Sequence, residues 1–462
     1  MRYFWTASAF VAHLTPRVIA VFETTYHSSP LAIQPFTILA RSADYDPDNT
    51  TLFLACPVGI DVAQPGPAIY DSQGALVWAD PTLGTCSNLN FQTYAGDEYL
   101  TMWVGVGSAG TGQQTGDGLD LTSVGGPKDG WYLNAIIQEI DIATGAVIFN
   151  WTSIDHIPFS ESYNNITQTG QGNSSFPWDP VHINSIDKNG AGDYLISARH
   201  TQTIYKVDGK NGSIIWRLGG KTSDFTPVGN DTQFFWQHHA RWHADETQIS
   251  LFDDGAAFID TTVIVNEPVA SGKFLAIDEK AMTVSLAARF LPSPSTIYAV
   301  VLSQPSKQLT TLYGSTVVTG YGVNPWVVVQ DYETGAVLLS ATIGPNDPTL
   351  PFGAVTNYRA YQLSTHQFVG RPTEPPSVAV EGADVYVSWN GATHVAAWVL
   401  LTGTSAQNVT TEVARVGKAE FETRLDGSRS EAFIAVAALA ANGTTLGTSA
   451  VYSTSDGSVE RR

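Results

Sequence analysis

One short pattern recurs along the chain: an apolar, strand-like run ends in Asp, a turn with Gly follows, and a second apolar run begins. It reads AIYDSQGALVWAD, EIDIATGAVIFNW, YKVDGKNGSIIWRL and VVQDYETGAVLLS, with LAIDEKAMTVSLAARF as a degenerate copy. The physical reading is a β-hairpin. Asp accepts hydrogen bonds from its own turn, Gly supplies a positive φ, and the apolar residues face a core. The aspartates are Asp71, Asp141, Asp208, Asp278 and Asp331, so successive copies lie 70, 67, 70 and 53 residues apart. Four-stranded blades with long decorations give that order of spacing, which favours a β-propeller of five or six blades over hairpins stacked in a sandwich. Helical periodicity of useful length is nearly absent, so the fold class is all-β.

The pattern changes at residues 371–377, a Pro-rich linker. Short alternating runs follow it: DVYVSWNG, HVAAWVLL, FETRL and FIAVAALA. They predict a small immunoglobulin- or fibronectin-like β-sandwich of about 80 residues, with Trp389 as its core anchor. The expected plan is a candidate signal peptide over 1–25, a β-propeller over 26–370, the linker, a sandwich over 378–455 and a disordered tail over 456–462.

Charged residues make up only 14% of the chain, and the net charge is −20. That excludes a basic stripe for nucleic acid and attraction to anionic membranes. No uninterrupted apolar run is long enough to cross a bilayer as a helix, so no membrane insertion is expected. Sequons begin at Asn49, Asn150, Asn165, Asn173, Asn211, Asn230, Asn408 and Asn442. These are eight of nineteen asparagines, where chance gives roughly two or three. The excess points to a eukaryotic secretory pathway and a secreted glycoprotein. Cys56 and Cys86 then read as a disulfide, with two buried thiols as the alternative.

Against this acidic background, residues 177–243 gather His182, His200, His238, His239 and His243 with Arg199, Arg217 and Arg241. Such a cluster can hold an anion or exchange a proton near neutral pH. Residues alternate along a strand, so His239 and Arg241 cannot share one face with His238. The histidines lack the carboxylate–histidine spacing of a tetrahedral metal site, and neither metal nor cofactor is expected. The glycines at 105–125 form no phosphate loop, because no GK[ST] follows.

The blocks IIQEIDIATG, DHIPFSESY, HINSIDKNGAGDYLISARHTQTIYKVDGKNGSIIWRLGGKTSDF, FWQHHAR, YRAY and SWNGAT resemble the fungal branch of the arylsulfotransferase (ASST) family over roughly residues 50–400. The resemblance implies a six-bladed propeller followed by a small β-sandwich. It implies sulfuryl transfer between phenols by way of a sulfated histidine, without a nucleotide donor. Matched by motif, His238 is the nucleophile, His182 falls at a sulfate-contacting position from which it can protonate the leaving phenoxide, and Arg199 is the holder of the sulfuryl oxygens. Asn184 falls at a sulfate-contacting position, and His239 and Arg241 fall beside the substrate.

Two departures stand out. GTGQQTG (110–116) runs straight into DGLDLTSVGGPKDGW (117–131), where the family carries a further stretch with an Asp-x-His-Glu-Phe motif, so the resemblance implies one incomplete blade near 105–130. His239 stands where the family has an acidic residue. Three functions are therefore carried forward. The first is a secreted arylsulfotransferase-like enzyme acting as a monomer on a small aromatic substrate. The second is a fungal secondary-metabolism enzyme, such as a hetero-Diels-Alderase, that reuses the propeller pocket. The third is a non-catalytic binding propeller.

Overall fold

A computed structural model describes residues 23–105, 113–259, 262–292, 309–345, 353–428 and 430–460. The candidate signal peptide lies almost wholly outside the described residues. The Asp–Gly turns do what their chemistry predicts. Asp71, Asp141, Asp208, Asp278 and Asp331 each accept backbone N–H bonds from the following turn. Gly74, Gly145, Gly212 and Gly335 take positive φ, and in the degenerate copy Met282 takes φ 52° in the glycine's place. Each turn joins the last two meander strands of a separate antiparallel sheet. The period read from the sequence is thus the period of the blades.

The fold is all-β: a β-propeller followed by a β-sandwich. The ring is clasped at both ends of the chain. The C-terminal strand Tyr361–Ser364 pairs with Thr51–Ala55 in the first sheet, and the N-terminal strand Phe36–Arg41 pairs with Val337–Ile343 in the last. Long-range pairing of this kind lets one apolar cluster bridge the closure, joining Phe36, Phe53 and Tyr70 to Val318, Val329 and Leu339. Central strands such as Tyr194–Ala198 and Thr203–Val207 are buried along their whole length because neighbouring sheets cover both faces.

One sheet is short. Among the described residues, Cys86–Tyr94 and Asp97–Val104 pair only with each other. The next sheet has three strands among the described residues, Gln113–Leu119, Gly130–Ile140 and Val147–Thr152. The expected incomplete blade borders residues 106–112, which lie outside the described residues. The two-stranded sheet packs its apolar residues back onto the first sheet, while its other face leaves Tyr99 and Trp103 exposed. The disulfide Cys56–Cys86 ties this short sheet to the first one.

The C-terminal unit stacks a three-stranded sheet beginning at Ser377 on a larger sheet running through Val459–Glu460. Two expectations change here. The buried anchor is Trp398, 1% exposed, while Trp389 covers the edge of the core and donates from its indole to Glu374 O at 2.6 Å. Val399 and Leu401 point the other way, so Trp398 owns the inward register. The tail is also ordered as far as residue 460, because Val459 and Glu460 pair with Tyr452 and Val451.

Candidate functional site

Three segments build the histidine cluster. His182 immediately precedes the strand Ile183–Lys188, Arg199 immediately follows Tyr194–Ala198, and His238 opens the strand His238–His243. Backbone bonds from Arg199 N to His182 O (2.9 Å) and from His200 N to Val181 O (3.0 Å) staple the first two segments. The third is held by Gln237, whose amide donates to Ala198 O and Thr203 O at 3.1 Å each. Left-handed φ values at His182, Gln202, Trp236 and His239 concentrate backbone strain in this region. Strain of that kind persists only where surrounding contacts over-determine the chain, and it gathers at functional sites.

The side chains form a connected set. Asp254 Oδ2 lies 3.0 Å from His238 Nδ1 and 4.0 Å from Arg199 Nε. The Arg199 Nη1 donates to His200 Nε2 at 3.0 Å, and the guanidinium lies 5.4 Å from the Trp236 ring centre. His200 Nδ1 in turn donates to Asp179 O at 2.7 Å, which fixes its tautomer. His182 Nδ1 meets Asp179 Oδ2 at 2.5 Å. Two His–Asp dyads thus flank one buried arginine. Burial pushes the His200 imidazole down to about 3. Burial also lowers Arg199, with Asp254 and Asp179 opposing that shift; an arginine so placed stays charged.

His238, His182 and Arg199 therefore belong to one cluster. Asn184 does something the sequence did not predict. Its amide donates to Gln237 O at 2.7 Å and its carbonyl accepts from His239 N at 3.2 Å, so it grips the backbone on both sides of His238. These two bonds hold the backbone around His238 in place. A β-bulge between His238 and Arg241 turns His239 and Arg241 away from His238. They line a cavity of about 660 Å³ with inner-strand residues from every propeller sheet, among them Asn90, Tyr313 and Tyr361. Tyr358, whose ring lies 6.4 Å from that of His238, borders a second cavity of about 280 Å³.

Asp179, His182 and His200 bring ligand-type atoms within 4.8 Å of one another. Those atoms are spent on each other and on the Arg199 guanidinium, a cation that opposes a second one. Asp179 and Asp254 were missed in the sequence. Asp179 stands three residues before His182, and Asp254 sits in the DDG turn 253–255 after a buried strand; only tertiary packing brings the latter to His238.

Of the sequons, seven asparagines are exposed, and Asn49 is half-buried. The Asn49 amide donates to Asp71 Oδ2 at 2.9 Å and its carbonyl accepts from Ser72.

Residues 103–344 match the model of the family described as arylsulfotransferase (ASST). Comparison with curated proteins finds no match. Among solved structures the chain is similar to a protein of unknown function from Bacteroides caccae, at 13% identity and TM-score 0.37, covering 68% of this chain and 99% of that one. It is similar to a putative 6-phosphogluconolactonase from Bacteroides fragilis, at 9% identity and TM-score 0.32, covering 69% and 99%. It is also similar to the Myceliophteria thermophila Cps50 (Swd1) β-propeller domain, at 12% identity and TM-score 0.25, covering 71% and 82%.

Proposed function

The chain belongs to the arylsulfotransferase (ASST) family, and on that premise we propose that it moves a sulfuryl group between small phenols, with His238 as the covalent carrier. The observation that carries the reading is the pair of His–Asp dyads on either side of Arg199. Asp254 against Nδ1 leaves Nε2 of His238 as the nucleophilic nitrogen, the logic by which a buried carboxylate orients a catalytic imidazole. The Nε2 lone pair attacks sulfur and the sulfur–aryl oxygen bond breaks. Protonated His182 gives its proton to the departing phenoxide. In the second half, an acceptor phenol returns a proton to His182, its oxygen attacks sulfur, and the nitrogen–sulfur bond breaks to regenerate His238. Charge on the sulfuryl oxygens is met by Arg199, whose fixed guanidinium needs no reorganisation as the charge develops.

Secretion is part of the same proposal. It is supported by the sequon excess, the exposure of seven of those asparagines and the disulfide. The test is incubation of the full chain with an aryl sulfate donor and a phenol acceptor, followed by mass analysis of the quenched protein. A sulfated His238 with ping-pong kinetics is expected. Transfer that survives His238→Ala at full rate would remove the histidine from the mechanism.

A further inference from the structure

The second cavity is charged in a way the histidine mechanism does not use. Arg359 is 5% exposed. Its Nη1 donates to Asn88 Oδ1 and its Nη2 to Asn184 O, each at 2.7 Å, and its Nε has no partner. Arg241, on the same cavity wall, donates from Nη1 only to Ala240 O, the carbonyl of its own neighbour, at 2.7 Å. Among the described residues no carboxylate lies within ion-pair distance of either guanidinium. The nearby acids are committed elsewhere: Asp187 Oδ2 accepts from Trp242 N at 2.9 Å, and Glu139 binds Lys188 and Tyr194. A buried Arg359 and a half-buried Arg241 thus share one cavity wall without an ion-pair partner, an arrangement that is costly to maintain. Burial comes first among the causes that lower Arg241, and the Arg359 charge adds to it. An anion between them would remove that cost.

The rest of the wall fixes the kind of anion. Ile136, Ile183 and Ile186 are apolar, Tyr358 stacks under the Arg359 guanidinium at 4.6 Å, and Trp103 stands at the rim. The cavity of about 280 Å³ lies between the two-stranded sheet and its neighbours. We propose that this cleft is a binding site for a planar aromatic oxyanion, with Arg241 and Arg359 as its charge partners and the isoleucine–aromatic wall as the seat of the ring. Forked guanidinium contacts suit carboxylate and sulfate oxygens alike, so an aryl carboxylate and an aryl sulfate share the chemistry. Because Arg241 faces away from His238, binding here does not depend on the histidine reaction.

The test is calorimetric titration of the full chain with benzoate, phenyl sulfate and the neutral isostere benzamide, the anions at two salt concentrations. Both anions should bind, and benzamide at least tenfold more weakly. Arg241→Gln should weaken the anions at least tenfold and leave benzamide unchanged, and Arg241→Lys, which keeps the charge without the fork, should fall between that variant and the unaltered chain. His238→Ala should bind benzoate as the unaltered chain does; binding lost in that variant would put the anion in the histidine cluster and overturn the proposal. So would equal affinity for benzoate and benzamide, or unaltered anion binding by Arg241→Gln. If only phenyl sulfate binds and Arg241→Gln weakens it, the site is the donor's; if both anions bind, it accepts the oxyanion class. Arg359 also ties Asn88 to Asn184, so a melting curve accompanies any Arg359 variant, and Arg241 remains the deciding position.

Discussion

Asp254 Oδ2 lies 3.0 Å from Nδ1 of His238, and both side chains are withdrawn from solvent. The strand Gln248–Asp253 pairs with the strand that His238 opens, so the turn after one delivers its carboxylate to the start of the other. In the proposed reaction, Asp254 supplies from across the sheet the carboxylate that orients His238.

Asp254→Asn should therefore preserve the fold and reduce kcat for sulfuryl transfer by about 10²–10⁴-fold, the range for losing a positioned proton-handling group. KM for the donor should change little, because Asp254 does not touch the ring. The measurement is steady-state kinetics across pH beside a melting curve. An unchanged kcat at every pH would dismiss Asp254 as an orienting group.

His200 gives the cluster a pH signature. Burial holds the folded imidazole near 3, while the unfolded chain titrates near its ordinary value. Above that ordinary value both states are neutral and His200 contributes no pH dependence. As pH falls below it, only the unfolded chain takes up the proton, so stability is lost down to about 3. The slope approaches about 1.4 kcal/mol per pH unit for one proton. His200→Gln should flatten that part of the stability curve in urea titrations between pH 6 and 4, whatever its cost at neutral pH. A parallel curve would show that His200 is not held neutral.

The blades were legible because their period is written locally. An Asp and a Gly three or four residues later dictate a turn without reference to the rest of the chain, and even Met282 obeys the position. The cluster of His182, Arg199 and His238 was legible from residue type and motif. Its carboxylates were not, because Asp254 reaches His238 through sheet pairing and carries no distinctive local pattern. Arg359 was hidden for the same reason: it lies far along the chain from Asn88 and Asn184, and only ring closure brings it to them. Trp389 and Trp398 show the limit for the sandwich. Trp398 lies inside the strand Ala397–Gly403, whose register turns it inward, whereas Trp389 follows the end of Asp384–Ser388 and stays at the edge of the core.

Lys273 is the most exacting buried charge outside the site. Its Nζ lies 2.8 Å from Asp253, 3.0 Å from Asp231 and 3.2 Å from Glu267, with no side-chain exposure. Burial alone lowers a lysine, but those carboxylates outweigh it and hold Lys273 above its ordinary value. Asp253 also accepts from Phe235 N and Gly255 N, so this network fixes the corner that presents Asp254. Lys273→Met should cost about 3–5 kcal/mol, the usual consequence of leaving a buried partner uncompensated. Chemical denaturation would read it, and a loss under 1 kcal/mol would mean that Asp253 is sustained by its backbone bonds alone.

The disulfide closes a loop with a sequence separation of 30 residues. A loop of that size is worth roughly 3–4 kcal/mol in the chain-entropy description. The paired variant Cys56→Ser/Cys86→Ser should lose about that much. The short sheet should also exchange its amide protons ahead of the rest of the propeller, because the bridge and one apolar face are what hold it to the first sheet. Exchange of Cys86–Val104 at the same rate as Tyr194–Ala198 would show that packing alone suffices.

Glycosylation should separate the sequons by their structural surroundings. Asn150, Asn165, Asn173, Asn211, Asn230, Asn408 and Asn442 are exposed, whereas both ends of the Asn49 amide are engaged and its φ is 52°. A glycan on Asn49 would have to share its nitrogen with Asp71 in a half-buried turn. When the protein is made in a fungal secretory host, glycopeptide mapping should find sugar at several of the seven and little at Asn49. Enzymatic removal of N-glycans should lower the apparent mass accordingly. No mass shift, together with two free thiols on alkylation, would rule out passage through the secretory pathway and with it the proposed extracellular setting for sulfuryl transfer.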